Sequence, residues 1–187
     1  MDALTKEQLL EVLKLAKSQS IRNWAMILTA FSHGLRASEV CNLKTSDVKD
    51  GHIKIHRLKN SNDTLHQLMP HRGQPLLDEV KALAAWLLER PLDAGDALFT
   101  SNKGGCMSAT QFYRIFHAIA VAVNLPKHLQ HPHVLKHTCV TELVHLDMNL
   151  GKVAAFVGHA SISSTMRYLH IADTDASREA MATFQCM

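Results

Sequence analysis

A single stretch of alternating residues, 50–69, interrupts a chain whose apolar positions otherwise follow a helical period. Asp50-Gly51 is typical of a turn. Ile53, Ile55 and Arg57 then fall on alternate positions, which predicts a short strand. Residues 60–63 are turn-like, and residues 64–69 can return as a second strand. These signals predict a small antiparallel β-hairpin inside a mainly α protein.

Helix start and stop signals divide the rest of the chain. Thr5-Lys6-Glu7-Gln8 and Ser108-Ala109-Thr110-Gln111 have the pattern of capping boxes, which open helices. Gly34 is a natural stop for a helix over about 22–32. Further helices are expected near 76–89, 134–146, 152–157, 163–170 and 176–184. In the helix over 76–89, one apolar face is expected to hold Leu77, Val80, Leu83, Ala84 and Leu87.

Length and composition fit one globular domain with an ordinary core. The chain has 187 residues, of which 47% are hydrophobic, and its net charge of +3 permits a polyanionic partner. No apolar run approaches the roughly 20 residues that span a bilayer, and the N-terminus lacks a signal-peptide pattern, so a cytoplasmic protein without a membrane partner is expected. The four cysteines form no CxxC pair, so neither a disulfide framework nor a zinc ribbon is indicated.

Two clusters of cationic residues are candidates for anion binding. Arg36 follows the glycine that ends a predicted helix, a position well placed to face a groove. The alternative is a surface arginine paired with Glu39. His133 and Lys136 lie three residues apart at the start of another helix, where backbone N–H groups also favour an anion. The alternative there is a polar helix start with satisfied histidines.

A third cluster, residues 157–170, contains His159 and Tyr168, which is one of two tyrosines in the chain. Taken alone, a tyrosine is usually a packed aromatic with a solvated hydroxyl. His131-x-His133 together with His137 also suggests metal ligands, and hence a metal-dependent hydrolase. However, Pro132 splits that pair and no aspartate completes a His-x-His-x-Asp-His pattern.

The order of these groups resembles the tyrosine recombinase (phage integrase) family. The chain has an arginine, then His-x-x-Lys, then Gly-His, and finally a tyrosine nine residues after that histidine. The resemblance covers about residues 4–171. The stretches 33–39, 55–59 and 131–133 look most similar to short fimbrial phase-variation recombinases. The resemblance implies the tyrosine recombinase catalytic-domain fold, mainly α with a small antiparallel sheet. It also implies a single catalytic domain over 1–187, with a tail helix at about 175–187 and no N-terminal core-binding domain.

The resemblance also assigns a role to each matched residue. Tyr168 would be the nucleophile that forms a 3′-phosphotyrosine, and Lys59 would protonate the leaving 5′ oxygen. His133 is the candidate base, and the remaining three residues would hold the phosphate. The six predicted catalytic residues are Arg36, Lys59, His133, Lys136, His159 and Tyr168. No metal or other cofactor is expected.

The implied partners and setting are those of a bacterial DNA strand-exchange enzyme. The expected substrate is double-stranded DNA, bound by a homodimer or homotetramer, with accessory DNA-bending proteins as further partners. The expected location is the bacterial cytoplasm in association with the nucleoid. The expected reaction is DNA inversion, integration or excision.

One position departs from the family pattern, in which the motif that corresponds to residues 133–136 is His-x-x-Arg. Lys136 stands where that arginine is expected, and lysine cannot make a planar, two-pronged contact with a phosphate. A weakened or non-catalytic DNA-binding relative is therefore an alternative. A type IB topoisomerase, which uses nearly the same groups, is another, although the fimbrial-like stretches favour recombination.

Overall fold

A computed structural model of the chain describes residues 3–57, 63–93, 95–102, 104–159 and 163–166. The helices are α1 Lys6–Gln19, α2 Ile21–Ser32, α3 Ala37–Cys41, α4 Glu79–Glu89, α5 Ala109–Ala122, α6 His133–His145, α7 Leu150–Phe156 and α8 Ser163–Met166. The strands are β1 Val48–Lys49, β2 His52–Ile55 and β3 Thr64–Gln67. Lys59, Tyr168 and the expected tail helix at 175–187 lie outside the described residues. Within the described ranges, no helix is long and apolar enough to cross a membrane.

The helix starts follow the predicted caps. Thr5 Oγ1 accepts a hydrogen bond from the Gln8 amide at 3.2 Å, and the Gln8 side chain accepts one from the Thr5 amide at 3.0 Å. Ser108 and Gln111 make the same reciprocal pair at 3.2 and 3.0 Å. Both capping boxes are therefore confirmed. They satisfy N–H groups that have no partner within the helix.

The predicted hairpin is confirmed and gains a third strand. The sheet is antiparallel with the order β1-β2-β3. Val48 pairs with Ile53 across β1 and β2, and Ile55 pairs with Thr64 across β2 and β3. Ile53 and Ile55 are fully buried. Two residues beyond Ile55, Arg57 is also buried.

The main core is formed by side chains of the helices α1, α2, α4, α5 and α6 and of strand β2. Val140, Val153 and Val157 form a second, smaller apolar cluster that joins α6 to α7. This second cluster fixes the segment after α7 beside α6. The segments that contain His159 and His133 are therefore held by the same packing.

The inward face of α4 differs from the expected one. Leu83 is buried as predicted, but Ala84 is exposed, and Val80 and Leu87 are 40% and 41% exposed. The buried positions of the helix are instead Glu79, Ala82, Leu83 and Trp86. Polar partners set this rotation: the Glu79 carboxylate lies 2.9 Å from His33 Nε2, and Trp86 Nε1 donates to Leu98 O at 2.8 Å. Distant partners therefore override the local apolar pattern.

Candidate active site

Arg36 and His133 line the same open groove, whose volume is about 520 Å³. The groove lies where α3, α5 and α6 begin. Its other lining residues are Ala37, Ser38, Ala109, Thr110, Tyr113, His131 and Pro132. The fold therefore brings together two of the six residues that the sequence predicts for the site.

Arg36 is paired with Glu39 and still faces the groove. Its side chain is 37% exposed, and Nη1 donates to Glu39 Oε1 at 2.8 Å. The Arg36 amide donates to the other carboxylate oxygen at 2.8 Å. Burial alone would raise the pKa of Glu39, but the Arg36 amide and the charges of Arg57 and Lys136 outweigh it and lower that pKa. The ion pair and the groove position are therefore compatible, and Glu39 fixes the direction of the arginine.

His133 is the first residue of α6 and lies at the surface of the groove. Its ring meets the ring of His137 edge-on, with centroids 4.5 Å apart. Partial desolvation within the groove, then the proximity of His137 and Lys136, lowers the pKa of His133 to about 4. At neutral pH the imidazole is therefore uncharged, and its low pKa makes it a weaker base than an ordinary histidine.

Lys136 lies in the interior rather than beside His133 on an outer face. It is 2% exposed, and its Nζ donates to Val157 O at 2.8 Å. The residues around it in α6, 134–135 and 138–140, are buried as well, so a side chain one turn into this helix points into protein. Desolvation, followed by the charge of Arg57, lowers the pKa of Lys136 to about 7.

Arg57 is a buried cation to which the sequence patterns assign no role. It is 7% exposed, and its Nη1 lies 3.3 Å from Glu39 Oε2. The signal was present in the sequence, because Arg57 continues the alternation of the inward-facing Ile53 and Ile55. In the same stretch the family resemblance predicts a role for Lys59, which lies outside the described residues.

His159 follows α7 in a sharp turn. Gly158 has φ +66°, and the His159 amide donates to Ala154 O at 2.8 Å. The ring Nδ1 of His159 lies 2.9 Å from Oγ1 of Thr165, which is fully buried in α8. Because Lys136 is bonded to Val157 O, the segment of His159 is also tied to α6.

The metal-site alternative finds no support in the described part of the chain. There, no group of three or more histidine, cysteine, aspartate or glutamate residues is arranged to hold a metal ion. His133 and His137 contact each other ring to ring instead.

Comparison with known proteins decides the family. A family model described as "Phage integrase family" matches residues 2–175. The chain belongs to the phage integrase family. Type 1 fimbriae regulatory protein FimB of Escherichia coli K12 is 35% identical over 173 residues, which are 88% of this chain and 82% of that protein. FimE of the same strain is 34% identical over 153 residues, 79% of this chain and 73% of that protein.

Solved structures of recombinases share the fold of this phage integrase family member. The crystal structure of XerA recombinase matches 97% of this chain and 64% of that chain, with a TM-score of 0.76 and 27% identity. The chain therefore spans just under two thirds of XerA, and it spans 54% of the tyrosine recombinase XerC of Bacillus subtilis, with 26% identity. The expected family, fold class and tyrosine recombinase assignment are confirmed, as is the similarity to fimbrial recombinases.

Proposed function

We propose that this chain is a site-specific DNA recombinase that cuts and rejoins double-stranded DNA through a 3′-phosphotyrosine on Tyr168. The observation that carries the proposal is the groove in which Arg36 and His133 meet, next to the buried charges of Glu39, Arg57 and Lys136. The membership of the chain in the phage integrase family supports it.

The groove contains two of the groups that an attack on a DNA phosphate would use, Arg36 and His133. The transition state carries negative charge on the non-bridging oxygens, and preorganised cations and donors stabilise it. Arg36 is aimed by Glu39 and provides a planar pair of donors. His159 is the second expected donor, and its ring is oriented by Thr165.

We assign the two proton transfers to His133 and Lys59. Tyr168 must lose a proton when its oxygen attacks phosphorus, and the uncharged imidazole of His133 is the candidate acceptor. Lys59 is the proposed acid, which protonates the 5′ oxygen as that oxygen leaves. The phosphotyrosine bond retains the energy of the broken linkage. Attack by a 5′ hydroxyl from another strand then reverses the step, so no nucleotide cofactor is needed.

A DNA-binding protein without cleavage activity is the second candidate, and Lys136 favours it. Its ammonium group is bonded to Val157 O inside the protein and not directed into the groove. A contact with the scissile phosphate would require that this bond break. A protein whose groove binds the DNA backbone through Arg36, but in which Lys136 does not contact the scissile phosphate, would bind DNA without cutting it.

The proposed partners follow from the same chemistry. The solved relatives include a XerH recombinase bound to its difH substrate and a λ integrase dimer bound to a core site. We infer that this chain likewise binds duplex DNA and acts as a homodimer or homotetramer, with accessory DNA-bending proteins. Action on bacterial chromosomal DNA would place it at the nucleoid in the cytoplasm.

Capture of covalent adducts from host DNA tests this function. Genomic DNA is nicked lightly at random, so that cleavage near a nick releases a short strand and traps the covalent intermediate. The protein is added and then denatured, and DNA that remains attached to it is recovered and sequenced. We expect adducts at a few loci that share an inverted-repeat sequence, because a symmetric dimer reads two half-sites. The Tyr168→Phe variant should yield none.

The other outcomes identify the alternatives. If formaldehyde crosslinking shows the wild-type protein at discrete loci but denaturation leaves no adduct there, the chain is a non-catalytic DNA-binding protein. If adducts form without sequence preference, the chain acts as a type IB topoisomerase does.

A further inference from the structure

We propose that Arg57 is a positioning residue for strand cleavage: its guanidinium holds the segment that carries Arg36 and the segment that carries His159 in one arrangement. The proposal rests on the function proposed above. Arg57 itself does not line the groove, so it would act through its neighbours and not on the phosphate.

The guanidinium of Arg57 donates to both segments at once. Nη2 donates to His33 O at 3.1 Å and to Phe156 O at 2.8 Å. Nη1 makes a longer contact with Gly34 O, at 3.4 Å. The first segment reaches Arg36 within three residues of these carbonyls, and the second reaches His159 three residues after Phe156. A single planar group therefore bridges the two chain segments that lead into the site.

Glu39 joins the same network from the other side. Its Oε2 atom lies 3.3 Å from Arg57 Nη1 and 2.8 Å from the Arg36 amide. Its Oε1 atom accepts from Arg36 Nη1 at 2.8 Å. Glu39 thus balances the buried charge of Arg57 while it aims Arg36. A change in the position of Arg57 is expected to shift Glu39 and, with it, the arginine in the groove.

Two glycines allow the two segments to approach closely. Gly34 has φ +56°, and a Cβ atom there would lie 2.9 Å from Val157 Cγ1. Gly158 has φ +66°, and a Cβ atom there would lie 2.9 Å from Cγ and Cδ of Arg57. Each glycine is thus required for its backbone angle and for its contact with the opposite segment. The junction has no room for a side chain, so Arg57 is packed along its length as well as bonded at its end.

Lysine would not reproduce this bridge. The fork of arginine is planar and offers donors in fixed directions, whereas an ammonium group is a point charge on a flexible stem. Arg57→Lys therefore keeps the charge beside Glu39 and Lys136 but loosens the bridge. A loss of rate in Arg57→Lys would therefore result from the loosened bridge and not from a lost charge.

Arg22 provides a matched control. It is also a partly buried arginine that donates to a carbonyl, Thr100 O at 2.8 Å, and to an amide oxygen, Asn102 Oδ1 at 2.7 Å. It lies ten residues before the end of α2, which is about 15 Å along the helix axis from the segment of Arg36. Arg22→Lys should loosen packing to a similar degree at a place that has no part in the site.

The test compares Arg57→Lys with Arg22→Lys in three measurements. The first is the affinity for a nicked duplex recovered by the adduct capture, and the second is the single-turnover rate of adduct formation at saturating duplex. The third is amide hydrogen exchange over residues 154–159, where the Gly158 and His159 amides are bonded to Ala155 O and Ala154 O.

For Arg57→Lys we expect a rate about 100-fold lower, since a misplacement of about 1 Å can cost that much. The affinity should stay within about threefold because the charge is retained. Exchange over residues 154–159 should become faster. Arg22→Lys should change neither the rate nor that exchange.

Gly158→Ala covers the case in which Arg57→Lys does not fold. This substitution pushes against the side chain of Arg57 without a change of charge, and we expect the same loss of rate at unchanged affinity. A wild-type rate and wild-type exchange in a folded Arg57→Lys or Gly158→Ala protein would overturn the proposal. If the wild-type protein forms no adduct, the proposed function fails, and hydrogen exchange still decides whether Arg57 holds the two segments together.

Discussion

Lys136 combines a cationic side chain with a position that is 2% exposed, and this combination sets its chemistry. Desolvation disfavours the charged form of Lys136, and so do the charges of Arg57 and Arg36. The carboxylate of Glu39 favours the charged form, but its effect is smaller, and the pKa of Lys136 falls to about 7. At neutral pH a substantial fraction of the molecules therefore lack a charge at this residue. An arginine at the same position would stay protonated at every working pH.

Lys136→Arg is predicted to increase adduct formation. Once released from the carbonyl of Val157, an arginine would make two charge-assisted hydrogen bonds to the phosphate where the lysine makes one. The second bond contributes roughly 1.5 kcal/mol, so a gain of about tenfold in single-turnover rate is expected. The gain should be larger at pH 8.5 than at pH 6.5, because the wild-type lysine loses its proton as the pH rises through about 7. An equal or lower rate for the arginine variant across this range would contradict the role given to residue 136.

Lys136→Met is predicted to stabilise the fold at low pH while it abolishes adduct formation. Below pH 7 the lysine is charged in both the folded and the unfolded chain, so the cost of its burial is present in full. As the pH rises from about 7 towards the unfolded value of about 10.4, only the unfolded chain keeps the proton, and the wild-type protein becomes more stable. Urea titrations should show the variant more stable by about 1–3 kcal/mol at pH 6, with a smaller difference at pH 9. A constant or reversed difference would contradict the burial of a charged lysine.

Local sequence signals predict the starts of the helices and the hairpin, but they do not predict the rotation of a helix or the partners of its buried side chains. The capping boxes at Thr5 and Ser108 are local, since each involves residues three apart. The rotation of α4 depends on Glu79 and Trp86, whose partners are distant in sequence or lie on another segment. The inward direction of Lys136 likewise depends on the carbonyl of Val157, 21 residues away. No local pattern contains that information.

The rotation of α4 is tested by a pair of leucines on the same helix. Leu83 is 2% exposed, whereas Leu87 is 41% exposed. Leu83→Ala should lower the free energy of unfolding by about 2–4 kcal/mol through loss of buried surface and creation of a cavity. Leu87→Ala, which removes the same atoms from a surface site, should cost less than about 1 kcal/mol. Similar losses for the two variants in urea unfolding would contradict the described rotation.

Because the net charge of the whole chain is only +3, DNA binding depends on where the positive charges lie. Each lysine or arginine that neutralises a phosphate releases counterions, so the affinity falls as the salt concentration rises. Arg36, half-buried at the groove, is expected to be one such residue. Arg72, which is exposed in a loop and does not line the groove, is a control of the same chemistry.

Arg36→Gln is predicted to reduce the slope of log affinity against log salt by about one, the contribution of one phosphate contact. Arg72→Gln should leave the slope nearly unchanged. Titrations of a fluorescent duplex at several salt concentrations provide this measurement. An unchanged slope in Arg36→Gln would mean that Arg36 does not contact the DNA backbone.

The proposed mechanism requires that one of the two tyrosines, Tyr168, forms the bond to DNA. Tyr113 lines the groove with Arg36 and His133 and is 46% exposed, so it is the natural control for Tyr168. The adduct trapped on a nicked duplex is digested with protease and nuclease, and mass spectrometry locates the attached nucleotide. We expect a nucleotide on Tyr168, an unchanged adduct yield in Tyr113→Phe and no adduct in Tyr168→Phe. A nucleotide on Tyr113, or an adduct that survives in Tyr168→Phe, would contradict it.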